Sequence, residues 1–492
     1  MSDPQILIAF TFILYLLTML AIGYFAYRRT QSMSDYLLGG RRLGPIPTAL
    51  SAGASDMSGW LLLGLPGYAL AAGYEAVWLA LGLLLGSWLN WLFVAKRLRV
   101  FSTLADDALT IPAYFENRFR DSSRLLRLTS ACFILLFFLF YTSSGLVASG
   151  KLLEEVFSME YHWAVLLSCL AIISYTLFGG FLAVSWTDVV QSLMMALALI
   201  IVPLVAMGDF GGWKLTHKAI DTLNPELLNI WTNHQGEPLG WIAIASLLGW
   251  GLGYFGQPHI LARFKAISDE RHIPFARRIA VGWTFLTLSS ALLCGWVAIT
   301  YLGGSLADSE RVFIVLVNIM FHPIVAGLLL AAVLAAIMST ADSQLLVSSS
   351  ALAEDFYKAV LKRPSWSRQQ IKVGRVAVMG LAIIAAVIAL DPESSVLDMV
   401  SYAWAGFGAA FGPAIVMSLY WRRMNRNGAL AGILVGGLTV VLWTPLEGGI
   451  FELYEIIPGC LLATLAIIMA SLLSAPPQPR EATPLRQPAQ EK

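Results

Sequence analysis

Ala49-Leu50-Ser51-Ala52-Gly53-Ala54-Ser55-Asp56-Met57-Ser58-Gly59-Trp60 decides the fold of this chain. The stretch lies midway along an apolar run, 45–72, long enough to cross a bilayer. It nevertheless carries two glycines, three serines and a carboxylate. A carboxylate at mid-bilayer costs about 2.5–3.5 kcal/mol on insertion scales. Small residues by themselves would read as close helix packing. Packing accounts for Gly53, Gly59 and the serines but not for Asp56. Irregular backbone at membrane depth is tolerated only against protein or a water-filled cavity. The stretch therefore predicts an interrupted membrane helix built around a site.

Outward from it, the whole chain has the composition of a membrane protein. Of 492 residues, 58% are hydrophobic and only 13% charged, against roughly 25% charged in a soluble domain. A net charge of +1 gives no electrostatic case for a nucleic-acid partner. Runs of about 20 apolar residues predict thirteen transmembrane helices, near 6–27, 45–72, 75–95, 127–150, 162–180, 189–208, 238–257, 279–302, 312–346, 374–390, 395–420, 427–445 and 455–474. Lysine and arginine sort sharply between the two sets of loops, 28 against 4. The smaller set holds only Lys151, Lys214, Lys218 and Arg311. The cation-rich set marks the cytoplasmic side, which puts the N-terminus outside and the C-terminus inside. Residues 1–475 read as one transmembrane unit. The Pro- and Gln-rich segment 476–492 reads as a disordered cytoplasmic tail. The opening residues lack a basic region and a small-residue cleavage site, so the first run reads as a membrane helix and not a signal peptide.

The seventh run repeats the irregularity of the second: Gly249-Trp250-Gly251-Leu252-Gly253-Tyr254-Phe255-Gly256-Gln257-Pro258-His259. Trp250, Tyr254 and Pro258 are spaced by four and would share one face of a helix. Such a stripe suits packing or a binding wall. Glycines on both sides favour the wall, by opening space beside it. Two Gly-interrupted helices in corresponding halves point to an inverted-repeat transporter with its site at the midplane. The two five-helix repeats would be spans 2–6 and 7–11. In the ninth run, Ala336-Ile337-Met338-Ser339-Thr340 places adjacent hydroxyls on a small-residue helix. Hydroxyls there can bond back to their own helix or, with carbonyls freed near Ala54 and Met57, ligate a hard alkali cation through oxygen. Asp188, between the fifth and sixth runs, suits an interfacial cap or a cation path equally.

Cys132, Cys169, Cys294 and Cys460 lie in apolar runs without paired spacing, as packed thiols would. The six histidines are scattered, mostly toward the interfaces, and no nucleophile motif is present. The residues therefore supply no catalytic or metal-ligand set for an enzyme.

On these stretches the sequence resembles the sodium:solute symporter family, and within it the bacterial branch that carries proline with sodium. The resemblance rests on Leu50 to Gly64, Gly179 to Asp188, Gly249 to Phe264, Ala335 to Thr340 and Ser401 to Pro413, and it runs from about residue 5 to 475. It implies co-transported sodium held by the carbonyls of Ala54, Met57 and Ala336 and the hydroxyls of Ser339 and Thr340. It implies coupling roles for Asp56, Arg41 and Asp188, the last on a sodium path. It implies a proline site lined by Ser58, Gly59, Tyr141, Trp250, Tyr254 and Pro258. It carries no role onto Asp342 and leaves a second sodium open. The setting implied is the bacterial cytoplasmic membrane. Other readings of the residues are a sodium symporter for pantothenate, a sugar or another carboxylate, a channel, or a transporter-like sensor.

Overall fold

The computed structural model describes residues 3–27, 33–176, 180–303, 306–356 and 368–477. Arg28, Arg29, Lys358, Lys362, Arg363 and the tail beyond 477 lie outside the described residues. Among the described residues the chain is helical, with two isolated β-bridges.

Among the described residues, nine helical stretches are long and apolar enough to cross a bilayer. One of them, the 46-residue Gly59–Leu104 stretch, turns at Gly73 (φ 63°), a conformation that favours glycine, and so makes two passages. Three shorter apolar helices, Tyr161–Ser174, Trp241–Gly256 and Val376–Ile388, complete the thirteen expected spans.

Several boundaries differ from the sequence reading. The third span continues through a π segment, Asn90–Val94, to Leu104. The predicted ninth span is two helices: a short helix, Val312–Met320, and the span itself, Pro323–Ser350. The seventh span reaches Ala266, because a second helix, Pro258–Ala266, follows its break. Arg263 and Lys265, counted among the loop cations, are therefore fully buried in a helix. Cys132 is exposed, unlike Cys169 and Cys294, and His259 is fully buried. Hydropathy alone misplaced these groups, because a bundle of this size buries polar side chains as well as apolar ones.

Glycine sets how closely the central spans meet. A Cβ on Gly86 of the third span would lie 2.1 Å from the carbonyl oxygen of Gly251. One on Gly256 would lie 2.1 Å from that of Phe407 in the eleventh span, Val396–Tyr420. One on Gly253 would lie 1.9 Å from the Trp404 indole nitrogen. The glycines around Trp250 thus bring backbones into contact, as small residues do between membrane helices, and do not open a space beside the aromatic side chains.

On the side opposite Arg41, Glu310 joins three elements. It takes Lys151 Nζ at 2.7 Å and the backbone N–H groups of Val396 and Leu397 at 2.9 and 2.8 Å, so its charge meets the N-terminus of the eleventh span. Beside it, burial raises the Asp308 carboxyl, but the bond and charge of Lys151 and the bond from Arg311 outweigh burial and hold it below its ordinary value.

Candidate functional site

The second span breaks at Met57-Ser58. The helix Pro45–Asp56 ends with Met57 at φ −84°, ψ 75°, and Ser58 is extended at φ −68°, ψ −161° before a new turn, Gly59–Leu62. Short-range bonds satisfy part of the freed backbone: Met57 N–H to the Gly53 carbonyl at 2.9 Å and Ser58 N–H to the Asp56 carbonyl at 3.1 Å. The carbonyl of Ala54 points out of the helix toward the ninth span. There it accepts from Ser339 Oγ at 2.8 Å and from Thr340 Oγ1 at 3.4 Å. Ser339 Oγ also lies 3.0 Å from the Ala336 carbonyl. Two carbonyls and two hydroxyls from two spans thus share one fully buried spot, with buried Met57 at the break. Every contributing atom is a hard oxygen without full charge, a donor set that suits an alkali cation.

Asp56, 2% exposed, stands at the same break. Tyr254 donates to its Oδ2 at 2.6 Å, while Oδ1 has no hydrogen-bond partner among the described residues. Its carbonyl accepts from Tyr141 at 3.0 Å and from the Trp60 indole at 3.3 Å. One residue therefore ties together the broken spans 2 and 7 and the fourth span, Leu125–Phe157. Around it is an aromatic wall. Trp250 stacks on Tyr454 at 5.4 Å and lies 6.3 Å from Trp60. Trp404 meets Tyr254 edge-on at 5.0 Å and donates to the Trp250 carbonyl at 2.7 Å.

The stripe of four-residue spacing does not form one α-helical face. Trp250–Gly256 winds as a tighter 3₁₀ helix, and Gln257 is extended at φ −72°, ψ 109°. Trp250 and Tyr254 stay in the aromatic wall, but Pro258 opens the next helix and lines a cavity of about 30 Å³ with Thr110, Lys265 and Asp355. Ser58 is buried and accepts from Trp60 N–H at 3.5 Å. Gly59 is packed, since a Cβ there would lie 2.8 Å from that of Ala148.

Asp188 lies wholly inside the bundle, on the sixth span, Phe181–Asp209. The N-cap of that helix is Gly180, so Asp188 lies within the helix and does not cap it. Its Oδ2 accepts from Ser51 at 2.6 Å and from Arg263 at 3.1 Å. Arg263 also donates to Ser51 Oγ at 3.1 Å, to the His259 carbonyl at 2.9 Å and to Ser343 Oγ at 2.5 Å. Ser343 in turn donates to the Ser339 carbonyl at 2.9 Å. The pair is thus one turn from the oxygen cluster and wired to it. Sequence reading missed Arg263, Ser51, Ser343, Trp60, Trp404 and Tyr454. Arg263 and Trp404 fall in the matched stretches Gly249 to Phe264 and Ser401 to Pro413, the signal that could have flagged them.

Arg41 sits apart, just before the start of the second span. Gly39, Gly40 and Arg41 all have positive φ, 59°, 63° and 52°. A left-handed arginine costs about 1–2 kcal/mol, and its contacts hold it there. Arg41 donates to the Lys265 carbonyl at 2.8 Å and pairs with Asp107 at 2.7 Å. It links the segment before the second span to the end of the seventh and to the loop after the third.

Known proteins match the chain over most of its length. Residues 36–436 match the family model of the sodium:solute symporter family. The chain is 49% identical over 463 residues to the high-affinity proline transporter PutP of Bacillus subtilis, covering 93% of this chain and 96% of that protein. It is 49% identical over 483 residues to the sodium/proline symporter of Escherichia coli, covering 97% and 94%. In fold it is similar to a sodium-coupled sialic acid symporter in a substrate-bound outward-open state, with TM-score 0.78 at 19% identity over 96% of this chain and 98% of that one. It is also similar to Mhp1, a nucleobase-cation-symport-1 family transporter, with TM-score 0.55 at 13% identity over 93% and 99%.

Proposed function

The chain belongs to the sodium:solute symporter family, and from that premise we propose that it imports L-proline with sodium across the bacterial cytoplasmic membrane by alternating access. The observation that carries this reading is the Ala54 carbonyl meeting Ser339 and Thr340 across a broken span.

Sodium binds among the carbonyls of Ala54, Met57 and Ala336 and the hydroxyls of Ser339 and Thr340. It replaces hydroxyl-to-carbonyl hydrogen bonds by ion–oxygen contacts that tie the second span to the ninth. Asp56 acts through shape: it holds Tyr254 and, through its carbonyl, Tyr141, so that ordering the break also orders the solute site. Proline is a compact zwitterion. Its ring packs on the aromatic wall of Trp250 and Tyr254, and Ser58, Gly59, Tyr141 and Pro258 complete its surroundings. Asp188, with Arg263, lies on the inward sodium path. Arg41 holds the inner end of the bundle closed until sodium and proline have bound, and both then cross by rocking of one bundle against the other. The cation-rich loops face the cytoplasm, with the N-terminus outside.

Each sodium entering with a 100 mV inside-negative potential releases about 2.3 kcal/mol. A tenfold sodium gradient adds about 1.4 kcal/mol. Together these sustain proline accumulation of several hundredfold.

Proteoliposomes test the reading directly. Labelled proline is expected to accumulate under an inward sodium gradient and to stop accumulating when choline replaces sodium. Equal uptake in choline overturns the coupling. In the same assay Thr340→Ala is expected to raise the sodium concentration for half-maximal uptake about tenfold, the equivalent of about 1.4 kcal/mol. An unchanged value removes Thr340 from the ligand set.

A further inference from the structure

Four cations lie on the sparsely charged side of the membrane, and two are already used. Lys151 pairs with Asp308 and Glu310 at 2.9 and 2.7 Å, and Arg311 with Glu154, Glu155 and Asp308 at 2.5, 3.1 and 3.3 Å. The other two, Lys214 and Lys218, sit one turn apart on the helix Trp213–Leu223, are exposed, and have no ion pair among the described residues.

That helix begins where the sixth span ends at Asp209. Gly211 and Gly212, at φ 98° and 92°, turn the chain there through a conformation that favours glycine. Aromatic side chains mark the level: Phe210 lies 5.8 Å from Tyr301, and Trp213 lies 6.1 Å from His217. Tryptophan and tyrosine collect at the headgroup layer. Around its axis the helix has three sectors. Thr216 and Ile220 are buried against the protein. Leu215 and Leu223, each 51% exposed, form an apolar sector beside them. Lys214, His217, Lys218 and Asp221 form the third, exposed and polar. An apolar strip next to a cationic strip is the pattern of a helix lying in the membrane interface. Asp221 is the only carboxylate of that polar sector; it follows Lys218 by three positions without an ion pair among the described residues, and it is two turns from Lys214.

We propose that the helix Trp213–Leu223 is a docking site for an anionic phospholipid of the outer leaflet, with Lys214 and Lys218 on the headgroup phosphate and Leu215 and Leu223 against its acyl chains. Charge complementarity selects the occupant: two adjacent unpaired cations at the headgroup level, above an apolar strip, on a face otherwise poor in cations. The site goes beyond the transport reading and involves none of its residues.

The test places a bimane label at Leu215→Cys, in a chain whose four native cysteines are replaced and which still takes up proline. Reconstituted in phosphatidylcholine, the label is titrated with brominated phosphatidylglycerol or brominated phosphatidylcholine. Each lysine near the headgroups contributes roughly fivefold, so phosphatidylglycerol is expected to quench with about 25-fold preference. Lys214→Gln with Lys218→Gln is expected to abolish the preference, and Lys214→Arg with Lys218→Arg to keep it. A preference that survives the glutamine pair, or a label that neither lipid quenches, overturns the proposal. Neither result bears on sodium-driven uptake.

Discussion

Asp188→Ala is expected to destabilise the protein by about 3–5 kcal/mol, the cost of leaving a buried charge without its partner. Arg263 would keep a full positive charge in a fully buried setting, with two hydroxyls and a carbonyl as its remaining acceptors. Arg263→Ala should cost about as much, leaving Asp188 with Ser51 alone. Removing both charges together, as Asp188→Ala with Arg263→Ala, should cost far less than the sum, because no buried charge is then uncompensated. Thermal unfolding of the detergent-purified protein, followed by its retention as a monodisperse species, measures all four members of the cycle. Additive single effects would mean that the two side chains are energetically independent, and the wiring from Asp188 to Ser339 would lose its basis.

Asp56→Asn should weaken sodium-dependent proline binding about 10- to 150-fold. That range corresponds to losing one hydrogen bond to a charged acceptor, about 1.5–3 kcal/mol. Asparagine preserves the shape at the break but not the charge that receives the Tyr254 hydroxyl at 2.6 Å. Tyr254→Phe removes the same bond from the other side, so the double variant should be little worse than Asp56→Asn alone. Equilibrium binding of labelled proline across a sodium titration reads the effect. If Asp56→Asn binds proline with native sodium dependence, the carboxylate does not organise the site.

Much of this arrangement is legible in the chain itself. Asp56 among small residues announces a broken membrane helix, because burying a carboxylate in lipid is too costly to be incidental. Cation placement marks most span ends for the same reason: a charge left in hydrocarbon costs free energy. Ser339-Thr340 is visible as a candidate ligand pair, but its partner is not. The Ala54 carbonyl lies 285 positions earlier in the chain, and no periodicity connects the two.

Where local pattern met tertiary packing, packing prevailed. The spacing of Trp250, Tyr254 and Pro258 implies one α-helical face, yet Trp250–Gly256 tightens to 3₁₀ as its glycines press against Gly82, Gly86, Trp404 and Phe407. Close approach of backbones is a property of two segments, and one segment's sequence records only that side chains are missing. Arg263 makes the same point for charge. Six residues from the end of one apolar run it reads as a loop cation, and only the surrounding spans reveal the buried acceptors that make its position tenable. By itself the sequence determined that this chain crosses a membrane thirteen times, how its cations divide between two sets of loops, and where its second helix breaks, because each follows from the contest between polar groups and hydrocarbon along the chain. Only the tertiary structure decided which oxygens meet at the break, which arginine answers Asp188 and which aromatic side chains close around Tyr254, because those contacts depend on distances between helices that no single helix encodes.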